Sequence, residues 1–298
     1  MPRAACRVPR AAGAVCAEPL PSFREEHVMT EAADRATDAL LLARGRRALV
    51  TGASSGIGAE FAVQLAERGL DLVLVARRED RLGELAERIR ATASVEVVLI
   101  ALDLGEANAA ERLHSRTDGL RVDVLVNNAG IGTDADVIET APERLDELLR
   151  LNVLTLTGLT RRYVADMGEN GVGLIVNISS LAASIPTPHM AVYSASKTYV
   201  ASFTQALDVE LTGTGVRAIT VMPGTTRTEF GAHGGRIPGP DTMHAEPTDV
   251  VAAVIRALDT PNPASVVVPG RANAVTAALL PRLPRGIAVS LIARAMKA

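Results

Sequence analysis

The chain has 298 residues, of which 48% are hydrophobic and only 2% aromatic, and its net charge is −3 at a pI near 6.0. This balance argues against nucleic acid as a partner, and no apolar run reaches the roughly 18 to 20 residues that a membrane-spanning helix needs. Cys6 and Cys16 are the only cysteines, which excludes a disulfide framework or a cysteine-bound metal in the rest of the chain and fits a cytoplasmic protein without a metal ion.

The first part of the chain differs in composition from the rest. Residues 1–45 are rich in Ala, Arg and Pro and lack strand periodicity, so we predict a mostly disordered extension. A weak likeness to a secretory signal is interrupted by Pro9 and Gly13. Met29 opens a more ordinary sequence, and our hypothesis is that residues 1–28 come from a misplaced start codon. Peptides from 1–28 in a mass spectrum of the native protein would contradict it.

From residue 46 onward, short apolar runs alternate with helical patterns. Each run is apolar throughout and bounded by turn residues, as expected of strands that are buried on both faces. The predicted strands are 47–51, 70–76, 95–103, 122–127, 173–179, 216–223 and 265–269, and the predicted helices are 57–69, 79–92, 106–117, 142–168, 191–213 and 248–259. This alternation predicts a Rossmann-type, doubly wound α/β fold, in which a seven-stranded parallel sheet carries helices on both faces of a single domain over 46–270.

Two segments depart from the alternation. Residues 225–246 are rich in Gly, Pro and Thr and are predicted to form a mobile loop beside the site. Residues 271–298 are predicted to form short amphipathic helices as a C-terminal extension. Packing of these helices on the domain or on a partner subunit is the favoured interpretation, and contact with a membrane surface is the alternative.

The first predicted strand leads into a glycine-rich turn and then a helix. The amide groups and dipole at a helix N-terminus favour an anion, and glycines let the main chain approach a pyrophosphate closely. The spacing is G-x-x-x-G-x-G rather than the G-x-G-x-x-G of the standard dinucleotide fingerprint. A glycine turn without a ligand is the alternative interpretation. The candidate cofactor-binding residues here are Gly52, Ser54, Ser55, Gly56, Ile57 and Gly58.

Two arginines follow the second predicted strand, which ends at Ala76. In NAD-binding units an acidic residue near this point accepts hydrogen bonds from the ribose 2′-OH, and none lies at the strand end here. Arg77 or Arg78 can instead hold a 2′-phosphate, and Arg77 is preferred because it is nearer the strand end. We therefore expect NADP(H) rather than NAD(H). Pairing of the arginines with Glu79 and Asp80 is the alternative.

Tyr193 and Lys197 lie four residues apart at the start of a predicted helix and therefore share one of its faces. A free tyrosine has a pKa of about 10. A nearby ammonium stabilises the phenolate and lowers that pKa, so the pair can supply a proton-transferring group nearer neutral pH. A Y-x-x-x-K pair alone is common on helices, and it gains meaning only from further motifs.

Such motifs are present, and over about residues 46–270 the chain resembles a classical short-chain dehydrogenase/reductase. The motifs occur in the order that the family shows. They are TGASSGIG at 51–58, NNAG at 127–130, Asn152 in LNVLTL, Ser180 after IVNIS, YSASK at 193–197, and Pro223 and Gly224 with Thr228.

The resemblance implies a role for each catalytic candidate. Tyr193 would protonate the developing alkoxide, and Ser180 would hydrogen-bond the substrate oxygen. Lys197 would lower the pKa of Tyr193 and bind the nicotinamide ribose, while Asn152 would anchor a water in the proton relay. Ser179 is the close rival of Ser180, and the thirteen-residue spacing before Tyr193 favours Ser180.

The resemblance also implies further cofactor contacts. Asp103 would meet the adenine, Asn128 and Ala129 the adenosine ribose region, and Thr228 the carboxamide or phosphates. The implied cofactor-binding residues beyond the first turn and Arg77 are Asp103, Leu104, Asn128, Ala129, Gly130, Tyr193, Lys197, Pro223, Gly224, Thr226 and Thr228.

The implied activity is that of an NADP-dependent oxidoreductase acting on CH–OH groups (EC 1.1.1.-), which interconverts a carbonyl compound and an alcohol. The VARRED segment and the tail resemble the branch that contains long-chain 3-oxoacyl reductases, so we expect a 3-oxoacyl or another hydrophobic carbonyl substrate. A homodimer or homotetramer through the predicted helices 142–168 and 191–213 is expected by resemblance. The alternative is a non-enzymatic NADP(H)-binding sensor or scaffold, although such proteins usually lack the Tyr or the Lys. The sequence leaves the substrate and its stereochemistry open.

Overall fold

The residues that the computed structural model describes are 44–133, 135–230, 244–260 and 262–297. The extension expected over 1–45 lies outside these residues except for its last two positions, and the hypothesis about 1–28 lies wholly outside them. Most of the loop 225–246 also falls outside. No helix within the described residues is long and apolar enough to cross a membrane.

Seven parallel strands form one sheet in the order β3-β2-β1-β4-β5-β6-β7, which confirms the predicted fold class. The strands are β1 (Arg47–Thr51), β2 (Asp71–Ala76), β3 (Val97–Ala101), β4 (Val124–Asn127), β5 (Gly173–Ile178), β6 (Val216–Val221) and β7 (Val266–Val267). The chain runs outward from β1 to β3 and then returns to pair β4 with the other side of β1. Ligands of open parallel sheets bind beyond the carboxyl ends of the strands at such a reversal.

Helices cover both faces of the sheet, which explains why the strands are apolar throughout. One core joins the sheet to α1, α2 and α7, and a second core joins it to α3, α5 and α6. The helices are α1 (Gly56–Glu67), α2 (Glu79–Thr92), α3 (Ala109–Arg116), α4 (Pro142–Leu149), α5 (Leu156–Asn170), α6 (Ala191–Glu210), α7 (Pro247–Leu258), α8 (Arg271–Leu279) and α9 (Arg285–Lys297).

The single helix predicted over 142–168 is instead α4 and α5 joined by a π-helical turn, Arg150–Thr155. Asn152 lies in this turn, and its Oδ1 accepts from the Ile131 amide at 3.0 Å while its Nδ2 donates to the Ile131 carbonyl at 2.9 Å. The wider turn thus fastens the helix to the segment after β4. Apolar periodicity does not reveal such an insertion, which is often found at functional sites.

A chain of buried polar side chains links β4 and β5 to two helices. Asn127 and Asn177 are partners in the parallel register, and Asn127 Nδ2 donates to Asn177 Oδ1 at 2.9 Å. Asn127 Nδ2 also donates to Thr160 Oγ1 on α5 at 3.0 Å, and Asn177 Nδ2 donates to Thr204 Oγ1 on α6 at 2.9 Å. These bonds offset part of the cost of burying amide and hydroxyl groups beneath the site, although Asn127 Oδ1 itself accepts no hydrogen bond from any described residue.

Candidate active site

A cavity of about 730 Å³ lies at the carboxyl ends of the strands. The segments after β1, β2 and β3 line one end of it, and the segments after β4 and β5 together with the start of α6 line the other. All of the predicted site residues border this cavity except Gly58 and Asn152. The structure therefore brings the two groups of candidates, cofactor-binding and catalytic, into one continuous space.

The glycine-rich turn and the NNAG segment are packed against each other. Gly52 and Gly56 have φ angles of +67° and +58°, a backbone conformation that favours glycine. A Cβ on Gly58 would lie 2.4 Å from both Asn128 Nδ2 and the Gly52 carbonyl oxygen. Asn128 Nδ2 donates to the Thr51 carbonyl at 3.0 Å. The absence of a side chain at Gly58 therefore allows the turn to pack closely on Asn128, although Gly58 does not border the cavity.

The same turn has the features of an anion site. α1 begins at Gly56, and the side chain of the preceding Ser55 accepts from Arg78 instead of capping the helix. The amide groups of the first helical turn are then available to a ligand. A Cβ on Gly56 would lie 2.8 Å from Thr228 Cγ2, so glycine leaves the space beside Thr228 open. These residues fit the pyrophosphate of a dinucleotide.

The two arginines after β2 point in different directions. Arg78 Nη2 donates to Ser54 Oγ at 3.0 Å and to Ser55 Oγ at 3.1 Å, which places its guanidinium beside the glycine-rich turn. Arg77 Nη1 lies 3.7 Å from Asp103 Oδ2, and its side chain is 55% exposed against 37% for Arg78. The sequence offers both arginines and favours Arg77, whereas the structure places Arg78 nearer the turn.

Glu229, in the loop after β6, lies against Arg78. Its Oε2 accepts from Arg78 Nη1 at 2.8 Å, and its Oε1 is 3.9 Å from Arg81 Nη1. The hydrogen bond from Arg78, helped by the charges of Arg78 and Arg81, holds the pKa of Glu229 below its usual value. No sequence pattern predicts this pair, because its members are 151 positions apart.

Ser180 and Tyr193 meet at the other end of the cavity. Burial raises the pKa of the Tyr193 phenol, which is 8% exposed, and a hydrogen bond with the Ser180 hydroxyl acts in the opposite direction. The Ser180 hydroxyl also accepts from the Ala182 amide at 3.1 Å. Ser179 is turned away, since its hydroxyl donates to the Lys197 carbonyl at 2.7 Å.

Lys197 lies beside the phenol but is engaged elsewhere. Its Nζ donates to the Ile178 carbonyl at 2.9 Å and lies 5.9 Å from the centroid of the Tyr193 ring. Burial lowers the pKa of Lys197 to about 8. The lowered pKa predicted for Tyr193 from the sequence is therefore not found, because burial raises the pKa of the phenol more than the hydrogen bond with Ser180 lowers it.

Asn152 stands behind the cavity wall. Besides its bonds to Ile131, its Nδ2 donates to Ser196 Oγ at 3.1 Å. A Cβ on Gly130 would lie 3.1 Å from Asn152 Oδ1 and 3.3 Å from Lys197 Nζ. Asn152 therefore adjoins Lys197 across Gly130 without lining the cavity, and its part in a water relay stays a prediction.

The space beside Tyr193 is apolar. The Phe230 ring lies 5.5 Å from the Tyr193 ring, centroid to centroid, and a Cβ on Gly132 would lie 2.6 Å from Phe230 Cζ. Sequence reasoning did not select either Gly132 or Phe230. Other apolar side chains bordering the cavity are Ile131, Ala182, Ile185, Met190, Leu280, Ile292 and Met296.

A family model described as short chain dehydrogenase matches residues 46–235. The chain belongs to the short-chain dehydrogenase family. The matched range carries the glycine-rich turn, the NNAG segment, Ser180 and the Tyr193–Lys197 pair. The fold and the motifs of this range agree with the resemblance found in the sequence.

One curated protein and two solved structures illustrate what this chain is similar to. The chain is 35% identical over 184 residues to a very-long-chain 3-oxoacyl-CoA reductase of Anas platyrhynchos, across 60% of this chain and 59% of that protein. A short-chain dehydrogenase from Sphingobium yanoikuyae, solved in complex with NADPH, is 34% identical with a TM-score of 0.71, covering 78% of this chain and 93% of that one. A structure from work on 7β-hydroxysteroid dehydrogenase stereoselectivity is 25% identical with a TM-score of 0.76, covering 85% and 99%. The chain spans less than two thirds of the length of the 3-oxoacyl-CoA reductase.

Proposed function

We propose that this short-chain dehydrogenase is an NADP(H)-dependent oxidoreductase that interconverts a hydrophobic carbonyl compound and its alcohol. One observation carries the proposal. The hydrogen-bonded Ser180–Tyr193 pair, with Lys197 beside it, shares a cavity with the glycine-rich turn and the arginines after β2. A residue able to transfer a proton and a turn able to bind a nucleotide therefore border the same cavity, which supports the proposal.

The reaction follows from the groups around Tyr193. The glycine-rich turn and the arginines after β2 would hold NADP(H), which would supply or accept the hydride. The raised pKa keeps the Tyr193 phenol protonated at neutral pH, so it can give its proton to the substrate oxygen as negative charge develops there. Ser180 donates a hydrogen bond to the same oxygen and stabilises that charge. In the reverse direction the phenolate takes the proton from the alcohol, and protonated Lys197 stabilises the phenolate.

The charges after β2 favour the phosphorylated cofactor. Arg77 and Arg78 both border the cavity, and the Arg78 guanidinium donates hydrogen bonds to the hydroxyls of Ser54 and Ser55. A 2′-phosphate accepts short, charge-assisted hydrogen bonds from such a group. The relative from Sphingobium yanoikuyae was solved with NADPH, which supports the same choice.

The apolar wall around Tyr193 favours a hydrophobic substrate, because burying nonpolar area on binding is favourable and few polar groups are available to orient a sugar-like molecule. The name of the relative from Anas platyrhynchos points to 3-oxoacyl thioesters. We therefore propose a 3-oxoacyl compound, or another bulky apolar ketone, as the substrate class.

Turnover is tested by NADPH oxidation with a panel of 3-oxoacyl thioesters of rising chain length, a steroid ketone and a small polar ketone. We expect the apolar ketones to be reduced and Tyr193→Phe to lower kcat by about 100-fold or more. The variant keeps the ring that packs on Phe230 and loses only one hydroxyl, so its Kd for NADPH should change far less than its kcat. Tyr199→Phe, which removes a phenol that bonds Thr157, is the matched control. Binding of NADPH without any turnover, unchanged by Tyr193→Phe, would favour the sensor or scaffold.

Cofactor choice is tested by charge reversal. Arg77→Asp and Arg78→Asp should each weaken NADPH binding and shift the preference towards NADH, since the new carboxylate repels the 2′-phosphate. Arg256→Asp, at an exposed position on α7, controls for the change of net charge. An unaltered ratio of the two cofactor affinities in both variants would refute the NADP(H) assignment.

We also propose a homodimer or homotetramer. Large apolar side chains are exposed on α4, the π-helical turn and α6, namely Leu149, Leu154, Tyr199 and Val209. Exposed apolar groups on neighbouring helices are typical of subunit contacts. Light scattering of the purified protein should give two or four times the mass of one chain, and Leu154→Glu with Val209→Glu should reduce it. A monomeric wild type would contradict the proposal.

A further inference from the structure

Residues 228–230, which we call the strap, contact both ends of the cavity. Glu229 hydrogen-bonds Arg78 at 2.8 Å on the cofactor side, while Phe230 packs on Tyr193 at 5.5 Å on the substrate side. Glu229 and Phe230 are adjacent in the chain, so a shift of the strap backbone moves both side chains. The strap therefore joins the groups proposed to bind the cofactor to the group proposed to transfer the proton.

The surroundings of Glu229 are those of a phosphate rather than of an ordinary surface carboxylate. Arg78 and Ser55 hydrogen-bond it, and Arg81 lies 3.9 Å away. Arg78 in turn holds Ser54 and Ser55 through its remaining nitrogens. A guanidinium flanked by hydroxyls is the arrangement that recognises phosphate oxygens. Glu229 thus already supplies an anion where the proposed 2′-phosphate would bind.

We propose that Glu229 competes with the 2′-phosphate of NADP(H) for Arg78 and Ser55, so that binding of the cofactor displaces this carboxylate. The inference rests on the NADP(H) preference proposed above. A phosphate monoester carries nearly two negative charges at neutral pH and cannot share one edge of a guanidinium with a carboxylate. Even at a separation of about 6 Å in a water-like medium, the repulsion amounts to about a tenfold loss of affinity.

Displacement of Glu229 also acts on Tyr193. Phe230 fits above Gly132, where a Cβ would approach its ring to 2.6 Å. If the strap backbone shifts when Glu229 leaves Arg78, Phe230 shifts with it from its position beside Tyr193. A ligand at the phosphate end would in that way widen the space beside the phenol.

Two adenosine ligands that differ only in the 2′-phosphate test the competition. Calorimetry gives the Kd of 2′,5′-ADP and of 5′-AMP for the wild type and for Glu229→Gln. We expect Glu229→Gln to bind 2′,5′-ADP about tenfold more tightly and 5′-AMP as the wild type does. Glu246→Gln is the matched control, because it removes the same charge from an ion pair with Arg227 at 2.9 Å.

The outcomes separate this inference from the proposed function. Unchanged or weaker binding of 2′,5′-ADP by Glu229→Gln overturns the competition, and weaker binding would mean that Glu229 orients Arg78 for the phosphate. A wild type that binds both ligands equally refutes the NADP(H) preference. The competition would still be supported if Glu229→Gln then gained a preference for 2′,5′-ADP.

A separate experiment tests whether displacement of Glu229 also moves Phe230, which packs beside Tyr193. The sequence contains four phenylalanines, so protein labelled with fluorophenylalanine gives four fluorine resonances, and Phe230→Leu identifies one of them. We expect 2′,5′-ADP, which has no nicotinamide, to shift the Phe230 resonance, and 5′-AMP to leave it in place. A resonance that responds to neither ligand, or to both equally, overturns the coupling between Glu229 and Phe230.

Discussion

The buried amine of Lys197 leads us to a prediction about the stability of the fold that does not depend on any substrate. The residue is 4% exposed, and burial lowers its pKa from 10.5 to about 8. The unfolded chain returns the amine to water and to its ordinary pKa. At about 1.4 kcal/mol per pKa unit, the folded protein therefore disfavours the charged amine by about 3 kcal/mol.

The cost has a definite dependence on pH. Below about pH 8 Lys197 is protonated in both the folded and the unfolded state, so burial of the charged amine lowers the free energy of unfolding by the full amount. Between about pH 8 and pH 10.5 the folded protein has released a proton that the unfolded chain still holds, so this group makes the free energy of unfolding rise with pH. The raised pKa of Tyr193 acts in the opposite direction above pH 10, where the unfolded tyrosine ionises first. The rise is therefore clearest between pH 8 and pH 10.

Lys197→Met isolates this contribution. The variant loses the bond to the Ile178 carbonyl, worth about 1 kcal/mol, and escapes the cost of the charge. We expect it to be inactive yet more stable than the wild type by about 2 kcal/mol at pH 7, with the difference shrinking towards pH 9.5 in urea unfolding. Lysine occurs only at 197 and 297, so ¹³C-lysine labelling gives two side-chain signals to titrate. A Lys197 signal that titrates near 10.5, or a stability difference independent of pH, would refute the reasoning.

Three glycine and asparagine variants test the packing around the site. Gly58→Ala should raise the Kd for NADPH about tenfold or more in calorimetry, because its Cβ would approach two neighbouring atoms to 2.4 Å, whereas Gly83→Ala has open space and should not. Asn177→Ala should lower the free energy of unfolding, measured in urea, by about 1 to 3 kcal/mol, because the buried side chains of Asn127 and Thr204 lose a hydrogen-bond partner. A smaller loss would show that these buried hydrogen bonds contribute little to stability. Gly132→Ala should push Phe230 towards Tyr193 and raise KM for bulky ketones more than KM for small ones, and equal effects on both would argue against a steric role.

Much of the fold could be predicted because each buried strand carries its own signal, an apolar run ended by turn residues. The glycine-rich turn and the Tyr193–Lys197 pair are also local, so short motifs identify them. The prediction of a lowered pKa for Tyr193 failed for a different reason. Spacing on a helix places Lys197 near the phenol, but it does not report how deeply both groups are buried or that the amine donates to Ile178.

The contacts that sequence could not supply are those between distant segments. Glu229 meets Arg78 only because the chain after β6 returns over the turn after β1, and no periodic pattern records that path. Asn152 lies behind Gly130 because a π-helical turn shifts it, and the shift leaves the apolar spacing of the helix intact. In both cases the side chain's surroundings depend on the assembled sheet rather than on its neighbours in sequence.

The hydrogen-bonded asparagines of β4 and β5, Asn127 and Asn177, fix the alignment of these two strands. Asn128, which fastens the glycine-rich turn, follows Asn127 by one residue, and Ser180 follows Asn177 by three. A slip of one residue between the strands would turn one amide to the opposite face of the sheet, so the hydrogen bond between the pair selects a single alignment. The buried pair therefore sets the position of the Ser180 hydroxyl relative to the glycine-rich turn. The outer loops and α9 can then be reshaped to admit a different ligand while the Ser180 hydroxyl keeps its place.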